Sequence, residues 1–406
     1  MKFWQTLIKN VNDSIIPLPL RFNMGHEEVI NQFNDFACIT LAIFALVTVI
    51  QLAYYLFVYL RVVWQKEKPE APQANGTPSV SVIICARNEE ENLLLNLPTI
   101  LEQDYPSFEV IVVNDCSEDN TELVLAEFKQ KYPQLRSTII KKDGLFFNGK
   151  KFAATMGVKA AQHEWMLFTD ADCRPESPQW IASMSRYFVD GKAIVLGYGG
   201  YLTQKGYLNK WIRYDTCFAA LKYFGFAKIG KAYMGVGRNL AYRQSLFFAN
   251  NGFAEHAHIL SGDDNLLVNR AATKQNVAVT CAATAQTRAI PKKTFTEWIR
   301  QKRRYVTTSK YYRKSQIFWL LLEPFSRVLM WASFVVLMFF SPFWEYVLAT
   351  FVARMILFIA VMNVAVKRFN EHGILKHAIW FDFVMPFVYL YVYLLNKVSS
   401  KHHQWK

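Results

Sequence analysis

From Phe36 to Leu60 the chain runs 25 residues without a charged side chain, between Asp35 and Arg61. A helix of ~20 apolar residues already crosses the hydrocarbon core of a bilayer. This segment therefore predicts a membrane span. It lies too far from Met1 for a cleaved signal peptide, and no small-residue cleavage site follows it. A buried core helix is the plainer reading, but such helices rarely exceed ~20 residues.

The C-terminal part is also apolar, but interrupted. Val328 to Trp344 is uncharged and preceded by Glu323 and Arg327. Tyr346 to Val366 carries Arg354, and Ala378 to Asn396 carries Asp382. Ionisable residues in such segments face protein or a watery cavity. Two or three spans are expected, one of which could be re-entrant or interfacial, and Glu323-Pro324 predicts a kinked entry. Arg61, Lys66 and Lys68 follow the first span, and Lys367, Arg368 and Lys376 separate the last two. Their placement makes the intervening region cytoplasmic. With four spans the basic tail (Lys397, Lys401, Lys406) would fall on the other side, which conflicts with that rule.

Composition narrows the class further. Charged residues are 19% of the 406, below the ~25% of ordinary soluble chains, while 52% are hydrophobic. A disordered chain needs the opposite balance. The six cysteines contain no C-x-x-C pair and read as reduced thiols with no zinc site.

The expected organisation is a tail (1–35), a transmembrane helix (36–64), a linker (65–78), a soluble domain (79–288), a basic amphipathic helix (289–314), a C-terminal membrane region (315–396) and a tail (397–406). Around Trp4, Leu7 and Ile8 the first tail reads as an interfacial helix. In the soluble part, Val80–Cys85, Val110–Val113, Ser137–Ile140 and Trp165–Phe168 are apolar, β-branched or aromatic runs that alternate with helical stretches. Continuous apolar strands between helices predict a mostly parallel sheet covered on both faces, an α/β fold.

Ligands of open α/β sheets sit beyond the carboxyl ends of the strands. Asp115 ends the second strand, and Asp170 and Asp172 follow the fourth. Asp is common in turns, and for Asp115 alone that reading is as good. The Asp170/Asp172 pair concentrates negative charge beside buried surface, which a hard divalent cation would offset. Mg2+ or Mn2+ takes such oxygen ligands, with substrate phosphates completing the shell. No Walker-type loop is present, and Gly235-Val236-Gly237 is a weak dinucleotide signal. Gly149-Lys150-Lys151 opens a helix and suits an anion. Asp263-Asp264 reads, taken alone, as a helix cap.

From Arg288 to Lys314 there are ten basic residues and one acid, Glu297. Thr294-Phe295-Thr296-Glu297 is a capping box, and Phe295, Trp298, Ile299 and Val306 share one face. A basic amphipathic helix before a span reads as docked on anionic lipid. Nucleic acid is a poor partner, because no recognisable nucleic-acid module is present.

The ordered set Ser81–Glu90, Val113–Ser117, Gly149-Lys150-Lys151, Thr169–Asp172, Gly237-Arg238-Asn239, Gly262-Asp263-Asp264 and Gln301–Tyr305 resembles the membrane-attached family 2 glycosyltransferases of the GT-A fold. That family includes synthases of cellulose, hyaluronan and chitin oligomers and many non-processive enzymes. The resemblance implies a GT-A domain with a mostly parallel sheet, flanked by transmembrane helices. It implies that Ala86, Arg87, Glu89, Asp115 and Lys150 bind the nucleotide sugar, with Asp170. It also implies that Asp172, with Asp170, holds Mg2+ or Mn2+ on the diphosphate, and that Asp264 is the catalytic base of an inverting transfer. Asp263 stands where Glu is common. Gln301, Arg304 and Tyr305 match the Q-x-x-R-W motif at the diphosphate and acceptor, with Tyr for Trp, which puts processivity in doubt. The expected reaction moves a sugar, with UDP the first nucleotide to test, onto a lipid or glycan at the cytoplasmic face of a multi-pass membrane protein. The alternatives are a non-catalytic membrane protein that binds a nucleotide sugar, and a membrane nucleotidyltransferase.

Overall fold

The computed structural model describes residues 26–67, 76–141, 149–257, 259 and 261–398, the side chains of 26–34 excepted. The expected interfacial helix near Trp4, most of the Lys66–Pro78 linker and the last eight residues lie outside the described residues.

Among the described residues, four helices are long and apolar enough to cross a bilayer: Asp35–Val63, Lys314–Phe340, Trp344–Arg368 and Leu375–Val398. The first contains α1 (His26–Ala53), which continues through a π-helical turn at Tyr54–Tyr59 to Val63. Between it and the others lies an α/β domain. Its strands are β1 (Val80–Ala86), β2 (Phe108–Asp115), β3 (Leu135–Ile140), β4 (Trp165–Asp170), β5 (Cys173–Pro175), β6 (Ile194–Leu196), β7 (Gly199–Tyr201), β8 (Leu240–Arg243), β9 (Val277–Val279) and β10 (Thr287–Ala289). The domain's helices are α2 (Glu90–Leu101), α3 (Thr121–Lys131), α4 (Lys150–Ala160), α5 (Trp180–Ser185), α6 (Tyr207–Lys228), α7 (Gln244–Ala249), α8 (Asn265–Ala271) and α9 (Phe295–Ser309). The C-terminal helices are α10 (Lys314–Phe340), α11 (Trp344–Arg368) and α12 (Ala378–Val398).

The main sheet has the order β3-β2-β1-β4-β8-β6-β9. The first four strands are parallel, and β8 runs antiparallel to both β4 and β6. Every residue of β1 is buried, because the β-branched run is covered on both faces. With a side-chain period of two, Val80, Val82 and Ile84 pack with Leu93 and Leu97 of α2. Ile83 and Cys85 join a second core that continues through α6 into the membrane helices. Close approach of α4 to β1 requires Gly157, where a Cβ would lie 2.6 Å from Ile83 Cγ2. A small sheet, β5-β10-β7, sits beside the site.

Glu323, Arg327, Arg354 and Asp382, within the membrane segments, form one buried network. Asp382 pairs with Arg354 at 2.7 Å and Arg327 at 3.3 Å. Arg327 also pairs with Glu323, which takes Lys222 of α6 at 2.9 Å. Arg354 donates to Gln51 and Tyr55 of the first span. Helix α10 runs on through Pro324, so the expected kink does not delimit it. The loop between α11 and α12 is tied to the α/β domain: buried Glu371 receives Arg213, Arg288 and the Tyr198 hydroxyl. Helix α12 touches that domain along its length, through Phe381 against Trp211, Tyr389 donating to Asp215, and Asn396 bonded to Arg303.

Candidate active site

Parallel strands place their carboxyl ends on one edge. Asp115 closes β2 and Asp170 closes β4, with β1 between them and Cys85 paired to Asp170 in register. Chain direction departs to opposite sides of β1, which makes this edge the switch-point crevice. Two left-handed residues turn the chain there, Asn88 after β1 and Cys116 after β2. The loops brace each other: Asn88 N–H donates to Ser117 Oγ at 2.9 Å, and Glu118 N–H donates to Asn88 Oδ1 at 2.8 Å.

Lys150, in the first turn of α4, sits amid the acids. Its Nζ lies 2.7 Å from Asp170 Oδ1 and 3.5 Å from Asp263 Oδ2. Burial pulls the lysine's pKa down, but Asp170, Asp263 and Asp264 overcome it and hold the lysine protonated. Burial would lift the Asp170 carboxyl, and Lys150 more than reverses that, leaving it below the usual range. Asp172 has no such partner, so burial and the Asp170 charge push it up. The ligand atoms of Asp170, Asp172 and Cys173 lie within 4.8 Å of one another. The Cys173 thiol is buried, is pushed up by burial and the Asp172 charge, and donates to Asp172 Oδ1 at 3.3 Å. A protonated thiol is a poor ligand, so the donor set is two carboxylates, which fits a hard divalent cation.

Asp264 is the N-cap of α8. Its Oδ1 accepts from Asn265 N–H at 2.7 Å and its Oδ2 from Gly237 N–H at 2.8 Å. The cap reading and the site reading therefore apply to the same side chain. Burial and the adjacent Asp263 charge push its pKa up to about 6 against the pull of Lys150 and both amides. Asp170, Asp263, Asp264, Lys150 and Gly237 line one cavity. Lys151 serves it indirectly, with Nζ donating to the carbonyls of His256 and Ile259 and so fixing the approach to Gly262.

The other expected residues lie around this centre. Ala86 ends β1 opposite Asn114. Asp115 is fully buried. Burial raises its pKa against the neighbouring Cys116 thiol and the Arg87 charge. Glu89 is raised by burial and by Asp172 and Asp170, which places it near the metal pair. Cys85 feels Lys150, Asp263, Asp170 and Asp115 together. From α9, Gln301 Oε1 accepts from Tyr201 at 3.3 Å, and the Arg304 charge reaches Asp170. Tyr305 is 39% exposed and feels Asp264 and Arg304.

The capping box of α9 forms as expected. The basic residues from Arg288 to Lys314 do not all face outward, however. Lys302 pairs with buried Asp215, Arg303 bonds Asn396, and Arg288 is held by Glu176 and Glu371. Arg300 and Lys310 remain exposed. One residue of the site went unassigned in the sequence: Arg238, quoted only within Gly237-Arg238-Asn239, whose guanidinium lies over the Tyr201 ring at 4.2 Å. Its neighbour Asn239 is structural and bonds the carbonyls of Tyr198 and Ala285.

A parallel sheet with acidic strand ends and a carboxylate pair that suits a hard cation define a ligand crevice of the open α/β kind. Residues 81–248 match the family described as Glycosyl transferase family 2. That segment is a family 2 glycosyltransferase domain, here carried with four apolar helices that fit membrane attachment. Poly-beta-1,6-N-acetyl-D-glucosamine synthase of Staphylococcus epidermidis is 33% identical over 129 residues, 29% of this chain and 27% of that protein. The probable glycosyltransferase YdaM of Bacillus subtilis is 30% identical over 196 residues, 47% of this chain and 46% of that one. The match thus spans less than half of these relatives' lengths. Among solved structures, the mannosyltransferase PcManGT of Pyrobaculum calidifontis, in complex with GDP-Man and Mn2+, superposes with a TM-score of 0.60. It is 19% identical, covering 90% of this chain and 99% of that one, which establishes the shared GT-A fold.

Proposed function

We propose that the chain is an inverting, metal-dependent transferase that moves a sugar from a nucleoside diphosphate onto a lipid or glycan hydroxyl at the cytoplasmic face of a membrane. The observation that carries this reading is one cavity that gathers Asp264, poised near pH 6, and Asp170 around Lys150, with an Asp172 carboxylate oxygen within 4.8 Å of one on Asp170. Asp264 takes the proton of the acceptor hydroxyl. The freed oxygen forms its bond to the anomeric carbon, the bond from that carbon to the β-phosphate oxygen breaks, and the electron pair leaves with the nucleoside diphosphate. Attack opposite the leaving group inverts the anomeric centre.

Asp172 and Asp170 would hold Mg2+ or Mn2+, which supplies charge neutralisation of the leaving diphosphate. The remaining roles belong to side chains. Asp115 offers its carboxylate to ribose or base donors, with Ala86 paired to the preceding Asn114, the Arg87 charge reaching it, and Glu89 on the loop that follows. Lys150 keeps Asp170 ionised for its ligand. Gln301, Arg304 and Tyr305 present α9 to the diphosphate and acceptor. Contact of α12 with the α/β domain through to Asn396 supports a C-terminal tail on the same side as that domain. On this reading α12 does not cross the bilayer, and Lys397 stays on the cytoplasmic side.

Isothermal titration of the purified chain with nucleoside diphosphates, with and without Mn2+, tests the donor site. Metal-dependent binding that Asp172→Asn weakens about tenfold or more is expected. Metal-independent binding, or none, contradicts the reading.

A further inference from the structure

Arg238 follows Gly237 and precedes β8, beside the metal-site carboxylates. Its side chain is held on one side by the Tyr201 ring, with the guanidinium 4.2 Å from the centroid. The Tyr201 hydroxyl is itself fixed by Gln301 Oε1. Gly199 leaves the room: a Cβ there would lie 3.1 Å from Arg238 Cβ and 3.5 Å from Nε. The residue is 9% exposed. Yet Nε and Nη1 are buried without a hydrogen-bond partner among the described residues. Elsewhere in this protein buried arginines are paired: Arg213, Arg288, Arg327 and Arg354 each meet a carboxylate. A buried guanidinium left unpaired is costly unless a ligand completes it.

The charges around it say what is missing. A divalent ion between Asp170 and Asp172 would be balanced by those two carboxylates. Lys150 balances Asp263. A nucleoside diphosphate sugar brings two negative charges, and beyond Lys150 the cations whose charge reaches the carboxylate pair are Arg238, Arg304 and Lys292, of which Arg238 is the buried one. The Arg238 charge reaches Asp170 and Asp172, and that of Arg304 reaches Asp170.

We infer that Arg238 binds the β-phosphate of the nucleoside diphosphate, its two unpaired N–H groups donating to phosphate oxygens while Tyr201 holds the guanidinium plane. This rests on the reading of the cavity as a nucleotide-sugar site. The contact strengthens during transfer. As the proton passes to Asp264 and the anomeric C–O bond breaks, negative charge moves from Asp264 to the β-phosphate, beside a preorganised cation.

The test compares nucleoside diphosphate with nucleoside monophosphate binding by titration calorimetry, on the purified full chain with Mn2+, for uridine and guanosine ligands. Arg238→Gln is expected to weaken diphosphate binding about tenfold or more and to change monophosphate binding by less than about twofold, with Arg238→Lys recovering part of the loss. Unchanged diphosphate affinity overturns the inference and points the guanidinium at an anionic acceptor instead. Equal loss for both ligands also overturns it, leaving Arg238 as a support for Tyr201. If the unaltered chain binds neither diphosphate, the reading of the cavity itself falls, a result distinct from either of these.

Discussion

Replacing Asp263 by Asn should move the acid limb of the rate profile without removing the base. Asp264 rises from an ordinary 3.8 to about 6, with burial the larger cause and Asp263 the second. Removing the Asp263 charge takes away that second cause, so the Asp264 pKa should fall toward the ordinary carboxylate range. Lys150, released from Asp263 at 3.5 Å, would then favour the charged form of Asp264 further. Both effects have the same sign. A base acts only when deprotonated, so kcat/KM should fall tenfold per unit below about pH 6 in the unaltered protein. In Asp263→Asn that limb should shift to lower pH. The assay is nucleoside diphosphate release from a nucleotide sugar between pH 4.5 and 8.5, at saturating Mn2+, where the donor diphosphate has no ionisation of its own. A limb that stays near 6, or moves up, refutes the assignment of the rise to Asp263 and Asp264.

Three further outcomes follow from the packing. Arg354→Ala should destabilise by about 3–5 kcal/mol because Asp382 keeps a buried charge, whereas Arg354→Met with Asp382→Leu should recover much of it; thermal unfolding in detergent reads both. Gly157→Ala gains about 1 kcal/mol of helix propensity but drives a methyl to 2.6 Å from Ile83, at about 1–3 kcal/mol, so a lower Tm is expected. A cysteine placed at 401 and one at exposed Glu91, each in a Cys38→Ser background, should react alike with an impermeant thiol reagent; opposite accessibility would put the tail across the membrane from the α/β domain.

The parallel strands were legible because Val80–Cys85 and Val110–Val113 are apolar throughout, a pattern that only a doubly covered strand needs. The acids at their ends were legible for the same reason, since the strand ends fix where Asp115 and Asp170 must emerge. The small sheet was not. Its strands are three residues each and contain Gly199, Gly200 and Arg288, which carry no strand signal. Arg354 and Asp382 stood out in the sequence as isolated anomalies, but only packing pairs them across 28 positions. Basic residues after Thr294, Arg304 apart, looked lipid-facing because local spacing cannot see Asp215 or Asn396. Arg238 stayed hidden because its significance is an absence of partners, and partners are known only once the chain has folded.

Product analysis with Asp264→Asn tests the central claim most directly. Purified protein in proteoliposomes, given Mn2+ and a panel of nucleotide sugars, should release nucleoside diphosphate from at least one of them. Asp264→Asn should abolish that release while keeping affinity for the same nucleoside diphosphate. Release of pyrophosphate or nucleoside monophosphate, or undiminished turnover by Asp264→Asn, would contradict it.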